Sequence, residues 1–176
     1  MPSQSTTEHR GAASHRAPPR VAVLTISDTR TTETDSGGRM ICERLSAHEC
    51  AVAHYEILKD EPDKIRTRLL ELCAGGSVDA IITTGGTGIA PRDGTYEAVS
   101  GILEKTIPGF GELFRMLSWH EVGAAAMLSR AVAGLRGRTL IFCLPGSTNA
   151  IRVALEKLIE PELAHLVWEI NRQAAP

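Results

Sequence analysis

Val78-Asp79-Ala80-Ile81-Ile82-Thr83 runs directly into Thr84-Gly85-Gly86-Thr87-Gly88, and this junction decides the fold class. The first half is a short apolar run, the pattern of a strand covered on both faces. The second half reads as a phosphate-cradling loop at the carboxyl end of that strand, because glycine permits φ > 0 and close backbone approach. Working outward, Arg20 to Ser27, Ala51 to Leu58 and Thr139 to Leu144 also read as strands. Helical spacing appears between and after them, at Ile41, Leu45 and His48, then from Pro62 through Ile65, Leu69, Leu70 and Leu72 to Gly75-Gly76. Further helices are expected over Tyr96 to Leu103, Phe110 to Trp119 and Asn149 to Ile170, with Pro161 opening a new helix in the last. Asp28 to Gly38 reads as a loop. Strands alternating with helices predict a three-layer α/β/α fold with a mostly parallel central sheet.

The 176 residues suit one domain, since domains usually run about 100–200 residues. Residues 1–19 are rich in Ser, Thr, Ala and Pro and lack an apolar stretch, so a disordered tail is expected there rather than a secretory signal. That leaves 20–176 as a single domain. A net charge of −2 and a pI near 6.3 give no footprint for nucleic acid or a membrane surface. No segment reaches the roughly 18 apolar residues of a membrane span. Cys42, Cys50, Cys73 and Cys143 form no CxxC pair and read as small buried hydrophobes, with the cytoplasm as the expected location. The six histidines are dispersed, which argues against a zinc site.

Ligands on such sheets sit beyond the carboxyl ends of the strands. Those ends are followed by Ser27-Asp28, by Asp60, by the glycine loop and by Pro145-Gly146-Ser147, so the polar elements converge on one rim. Gly85, Gly86, Thr87 and Gly88 can aim successive N–H groups at an anion, although a tight turn alone explains the same glycines. The loop lacks the Gly-Lys-Ser/Thr ending of a Walker A motif and the spacing of GxGxxG. Asp93 and Thr95 follow closely. A carboxylate beside a phosphate site repels its ligand unless a cation intervenes, so Asp93 and Asp60 are candidate Mg²⁺ ligands bridging to phosphate oxygens. Asp93 serves equally well as a helix N-cap, and Asp60 as a first-turn charge. Glu97 reads as a solvated helix residue. Pro108-Gly109-Phe110-Gly111-Glu112 suggests a lid or wall with Glu112 in the first turn of a helix. Ser129-Arg130 supplies the basic residue of an apolar stretch, either as a phosphate clamp or as a structural ion pair. Pro145-Gly146-Ser147 offers a second anion-binding helix start.

Five of these elements occur in the order found in one family. Leu24-Thr25-Ile26-Ser27-Asp28, Thr84 to Gly88 with Asp93, Pro108 to Glu112, Leu128-Ser129-Arg130-Ala131 and Leu144-Pro145-Gly146-Ser147 resemble the molybdenum-cofactor proteins of the MoaB and MogA type, related to gephyrin's G domain. The resemblance covers about residues 20–172, and Phe114-Arg115-Met116-Leu117-Ser118 is similar to the MoaB branch. It implies a molybdopterin-binding-like fold and a Mg²⁺-dependent adenylylation in which ATP and molybdopterin give adenylylated molybdopterin and pyrophosphate. Asp60 and Asp93 match the family's two mechanistic acids. The glycine loop and Pro145-Gly146-Ser147 match its ligand-binding loops, and Ser27 and Asp28 match a rim position near the ligand. The resemblance also implies a homotrimer or homohexamer and hand-off to a molybdate-inserting protein. A pterin-binding carrier with little chemistry is the alternative reading within the MoaB branch.

Overall fold

The computed structural model describes residues 17–172. Residues 1–16 of the expected tail lie outside that range, whereas Pro19 is buried and its carbonyl accepts the Ala51 N–H at 2.9 Å. Six strands, β1 (Arg20–Ile26), β2 (Ala51–Leu58), β3 (Ala80–Thr84), β4 (Lys105–Thr106), β5 (Val132–Arg136) and β6 (Thr139–Leu144), form one sheet in the order β2-β1-β3-β6-β5-β4. Helices α1 (Ser36–Ala47), α2 (Pro62–Ala74), α3 (Thr95–Ser100), α4 (Pro108–Val122), α5 (Thr148–Ala154) and α6 (Leu163–Asn171) accompany it. A single π turn over Leu155–Ile159 follows α5. β2, β1, β3 and β6 run parallel, and β5 alone runs against the rest. The α/β class and the mostly parallel sheet are as expected.

Alternation along the strands explains the three layers. Val21 and Val23 of β1, Ile82 of β3 and Leu140 and Phe142 of β6 face one side, where they meet Ile41 and Leu45 of α1, Phe114 of α4 and Ile151 of α5. Ala22, Leu24, Ile81, Ile141 and Cys143 face the other side, against Ile65 and Leu69 of α2 and Ala98 and Val99 of α3. Both faces are therefore removed from water, which is why these strands read as continuous apolar runs. Cys143 is fully buried and burial pushes its thiol up to about 12. Cys42, Cys50 and Cys73 are also shifted upward by burial, as inert packing thiols should be.

Three expectations need correction. β4 and β5 carry no separate mark in the sequence, because β4 has two residues and β5, which contains Leu135, merges with the apolar stretch before it. β5 and β6 form a hairpin turned by Gly137-Arg138, with Gly137 at φ +57°, the place where a two-residue turn calls for glycine. The supposed lid is a core anchor. Pro108 is the first residue of α4, Phe110 is buried edge-on against Phe142 at 5.4 Å, and Glu112 falls in the second turn on the exposed side.

The third correction concerns Gly37 and Gly38, which begin α1 instead of ending a loop. Asp35 caps that helix, accepting the Gly38 N–H at 2.9 Å and the Tyr55 hydroxyl at 2.7 Å. A Cβ on Gly38 would lie 2.6 Å from Thr25 Oγ1 and 2.7 Å from Tyr55 Cε2. Glycine is present because the first turn of α1 is pressed against β1 and β2. Gly38→Ala should therefore cost about 1–3 kcal/mol through overpacking, measured as a lowered urea midpoint; an unchanged midpoint would show that the contact relaxes freely.

Candidate functional site

The ends of β1, β3 and β6 meet backbone to backbone. Gly85 N–H donates to Leu144 O at 3.1 Å, and a Cβ on Gly85 would strike the Ile26 carbonyl oxygen. A Cβ on Gly146 would come 3.2 Å from Gly85 Cα. Gly85 and Gly86 adopt φ of +96° and +62°, a region costly for residues with a side chain. Gly85 is thus spent on the junction, while the N–H groups of Gly86, Thr87 and Gly88 donate to none of the described residues. These three form the available part of the cradle.

Gly86 and Gly88 are glycine for another reason. A Cβ on Gly86 would lie 2.5 Å from Asp60 Oδ2 and still closer to Thr95 Oγ1, and a Cβ on Gly88 would lie 3.1 Å from Asp93 Cγ. Both candidate acids are therefore packed against the loop backbone. Asp60 is held there by its place just before α2, with the Gly94 N–H at 3.4 Å from Oδ1. Asp93 is not the N-cap of α3, which is Gly94; its Oδ2 accepts the Ala90 N–H at 3.0 Å. Asp28 lies beside them, its Oδ1 accepting the Asp60 N–H at 3.3 Å and its Oδ2 paired with Arg92 Nε at 2.6 Å. The Arg92 bond holds the Asp28 carboxyl below the ordinary range. Burial, with repulsion from Asp93 and Asp28, raises Asp60 above it.

Thr95 is fully buried beneath the loop. Its N–H donates to Gly86 O at 2.9 Å, and its Oγ1 has no hydrogen-bond partner. It supports the loop from below. Among the described residues no three His, Cys, Asp or Glu side chains group closely enough to hold a metal by themselves. The donors that the loop does carry on its flank are hard oxygens, the Asp60 carboxylate against Gly86 and the Asp93 carboxylate against Gly88. That set fits Mg²⁺, which commonly takes one or two carboxylates and completes its octahedron with water and substrate phosphate.

On the opposite side of Gly85 a cavity of about 490 Å³ is lined by Ser27, Arg30, Asp35, Gly37, Gly146 and Ser147, among others. Ser27 Oγ accepts the Thr29 and Arg30 N–H groups, folding the chain around the cavity mouth. Ser147 caps α5 through the Ala150 N–H at 3.2 Å. Pro145 closes the junction, its carbonyl accepting the Thr84 hydroxyl at 3.1 Å. A second cavity of about 480 Å³ opens at the other end of the sheet, beside Arg20, Asp79 and Trp168, and contains none of the predicted residues.

Arg130 resolves in favour of the ion pair. Its Nε donates to Thr87 O at 2.9 Å, its Nη2 to Gly88 O at 2.7 Å, and its Nη1 binds Glu97, so Glu97 is paired and not merely solvated. The guanidinium also lies 5.0 Å from the Tyr96 ring centroid. Arg130 braces the loop by its carbonyls, with Ser129 preceding it at the end of a 3₁₀ turn over Gly123–Leu128. Glu112 lies on α4, which follows β4 at the far edge of the sheet. Arg30, Asp35 and Arg92 were not singled out in the sequence. Asp35-Ser36 is a legible N-cap signal, whereas nothing local marks Arg30 or Arg92.

Asp60→Asn should raise the melting temperature of the metal-free protein at pH 7. A folded-state value raised above the unfolded one means that ionisation opposes folding, in full above the raised value. The penalty is absent below the ordinary carboxylate value of about 3.9, so the gain should fade as the pH approaches 4. Equal melting temperatures at pH 7 would show that burying this carboxylate costs nothing.

Residues 22–165 match the family described as "Probable molybdopterin binding domain". The Molybdenum cofactor biosynthesis protein B of Bacillus cereus is 48% identical over 170 residues, covering 96% of this chain and 99% of its own. A crystal structure of a Molybdenum cofactor biosynthesis protein B superposes with a TM-score of 0.86 at 49% identity, over 89% of this chain and 98% of its own. The tungsten cofactor synthesizing protein MoaB from Pyrococcus furiosus superposes with a TM-score of 0.79 at 34% identity, over 88% and 98%.

Proposed function

The chain belongs to the molybdopterin-binding-domain family, as a molybdenum cofactor biosynthesis protein of the MoaB type, and from that premise we propose that it adenylylates molybdopterin. The observation that carries the reading is the packing of Asp60 and Asp93 against Gly86 and Gly88, beside a loop with three N–H groups to offer. A terminal phosphate oxygen of the pterin forms a bond to the α-phosphorus of ATP. The bond from that phosphorus to the bridging oxygen breaks, and pyrophosphate leaves with the electron pair. The nucleophile is already ionised, so the protein contributes position and charge stabilisation and needs no general base.

The roles follow from placement. The Gly86–Gly88 amides and the α5 start at Ser147 orient phosphate on the two sides of the Gly85 junction. Ser27 shapes the mouth between them, and Arg130 keeps the loop open by holding its carbonyls. Asp60 and Asp93 are the residues that would hold Mg²⁺, which supplies charge neutralisation for the phosphates when bound. The product passes to a molybdate-inserting protein, and the reaction belongs in the cytoplasm, where ATP is abundant; among the described residues no helix is long and apolar enough to cross a membrane.

Wild-type protein with molybdopterin, ATP and Mg²⁺ should yield adenylylated pterin and pyrophosphate in equal amounts. Asp60→Asn and Asp93→Asn should each lower single-turnover transfer by about 100-fold or more, the scale of losing one transition-state contact. Full activity in either variant would remove its assigned role. Pterin binding without pyrophosphate release would identify a carrier instead.

A homotrimer or trimer-based hexamer is part of the same reading. Leu113, Met116, Trp119 and Val122 project from α4 while 47–58% exposed, with Met127 and Leu128 adjoining them. A continuous apolar face of this kind suits burial against another copy. Met116→Asp with Trp119→Asp should shift the particle to monomer mass in light scattering, and an unchanged mass would exclude this face.

A further inference from the structure

Two arginines flank the glycine loop, and their donors are used differently. Arg130 has Nε on Thr87 O, Nη2 on Gly88 O and Nη1 on Glu97. Each of its nitrogens is engaged. Arg92 stands on the loop itself, one residue before Asp93, with a side chain 65% exposed. Only its Nε is engaged, on Asp28 Oδ2 at 2.6 Å, and its two Nη groups donate to none of the described residues.

Negative charge is in surplus around it. Asp28, Asp60 and Asp93 lie together, while Lys59 reaches Asp28 only at its backbone carbonyl, at 3.5 Å. Arg30, on the cavity side, spends Nη1 on Thr34 O. A polyphosphate entering beside three carboxylates needs a cation that can turn toward it. A planar guanidinium with two unused Nη groups matches phosphate oxygens in pairs. The Asp28 pair is exposed enough to be weak, so it can be exchanged.

Resting on the adenylyltransferase reading, we infer that Arg92 is the side chain that binds the polyphosphate of the nucleotide, held on Asp28 in the free protein and transferred to phosphate oxygens when the nucleotide enters. The transfer also releases the Asp28 carboxylate next to Asp60. Arg130, by contrast, is tied to two loop carbonyls and to Glu97 and acts as a brace.

The test is equilibrium binding of α,β-methylene-ATP, which cannot transfer its adenylyl group, to full-length wild type, Arg92→Ala and Arg92→Lys in the presence of Mg²⁺. Arg92→Ala should weaken the analogue by about 10–100-fold, the range for losing hydrogen bonds to a charged group. Arg92→Lys should recover part of the loss, since it keeps the charge and loses the fork. Melting temperature and molybdopterin affinity should stay at wild-type values, and in turnover the KM for ATP should rise while that for the pterin does not. Unchanged analogue affinity in Arg92→Ala would overturn this inference and leave the adenylyltransferase standing. A parallel fall in melting temperature and pterin affinity would make Arg92 a structural residue, again overturning it. Failure of the wild type to bind the analogue would overturn both readings.

Discussion

The meeting of three strand ends at Gly85 is the constraint on which the site depends. Its N–H is bonded to the end of β6 and its α-carbon lies under the Ile26 carbonyl of β1, with no room for a side chain. Its φ of +96° turns the chain sharply as β3 ends. Three loops therefore leave one point in different directions, carrying Ser27-Asp28, Gly86 to Gly88 and Pro145 to Ser147. Glycine loses more chain entropy on folding than any other residue, and the return here is access of backbone donors to a ligand.

The same crowding creates the electrostatic problem of the site. Asp60 is buried against Gly86 in the company of two other acids, and its ionised form is disfavoured. Ordinary packing would remove such a group or give it a full salt bridge. Here compensation is partial, through the Gly94 N–H and the distant influence of Arg92. A carboxylate held in this way is stabilised by any positive charge brought beside it, so the free protein carries an electrostatic cost at this point.

Rigidity around that instability comes from outside the loop. Arg130 reaches across from the segment before β5 to the carbonyls of Thr87 and Gly88. Asp35, Tyr55 and Gly38 lock the start of α1 over β1 and β2 beside the cavity. Arg44 of α1 is tied to Glu156 and Glu160 at the π turn, so the helices bearing the two sides of the cavity are joined at their far ends as well.

The amino-acid sequence by itself determined the α/β class, four of the six strands and the polar rim at their ends, because apolar runs and glycine turns are local signals with local causes. Asp60, Ser27 and Ser147 stand out in it as polar residues that follow strands, and Asp93 as an acid just past the glycine loop. It could not distinguish β4 and β5, since a two-residue strand has no period and β5 lay in an apolar stretch. Nor could it assign Arg130, Arg92 or Glu97, because a charged side chain's role is set by what stands across from it. Glu97 is 33 residues from Arg130 and Asp28 is 64 from Arg92. Only the tertiary structure brings those groups together, and only there do Gly86 and Gly88 show that their missing side chains make room for carboxylates.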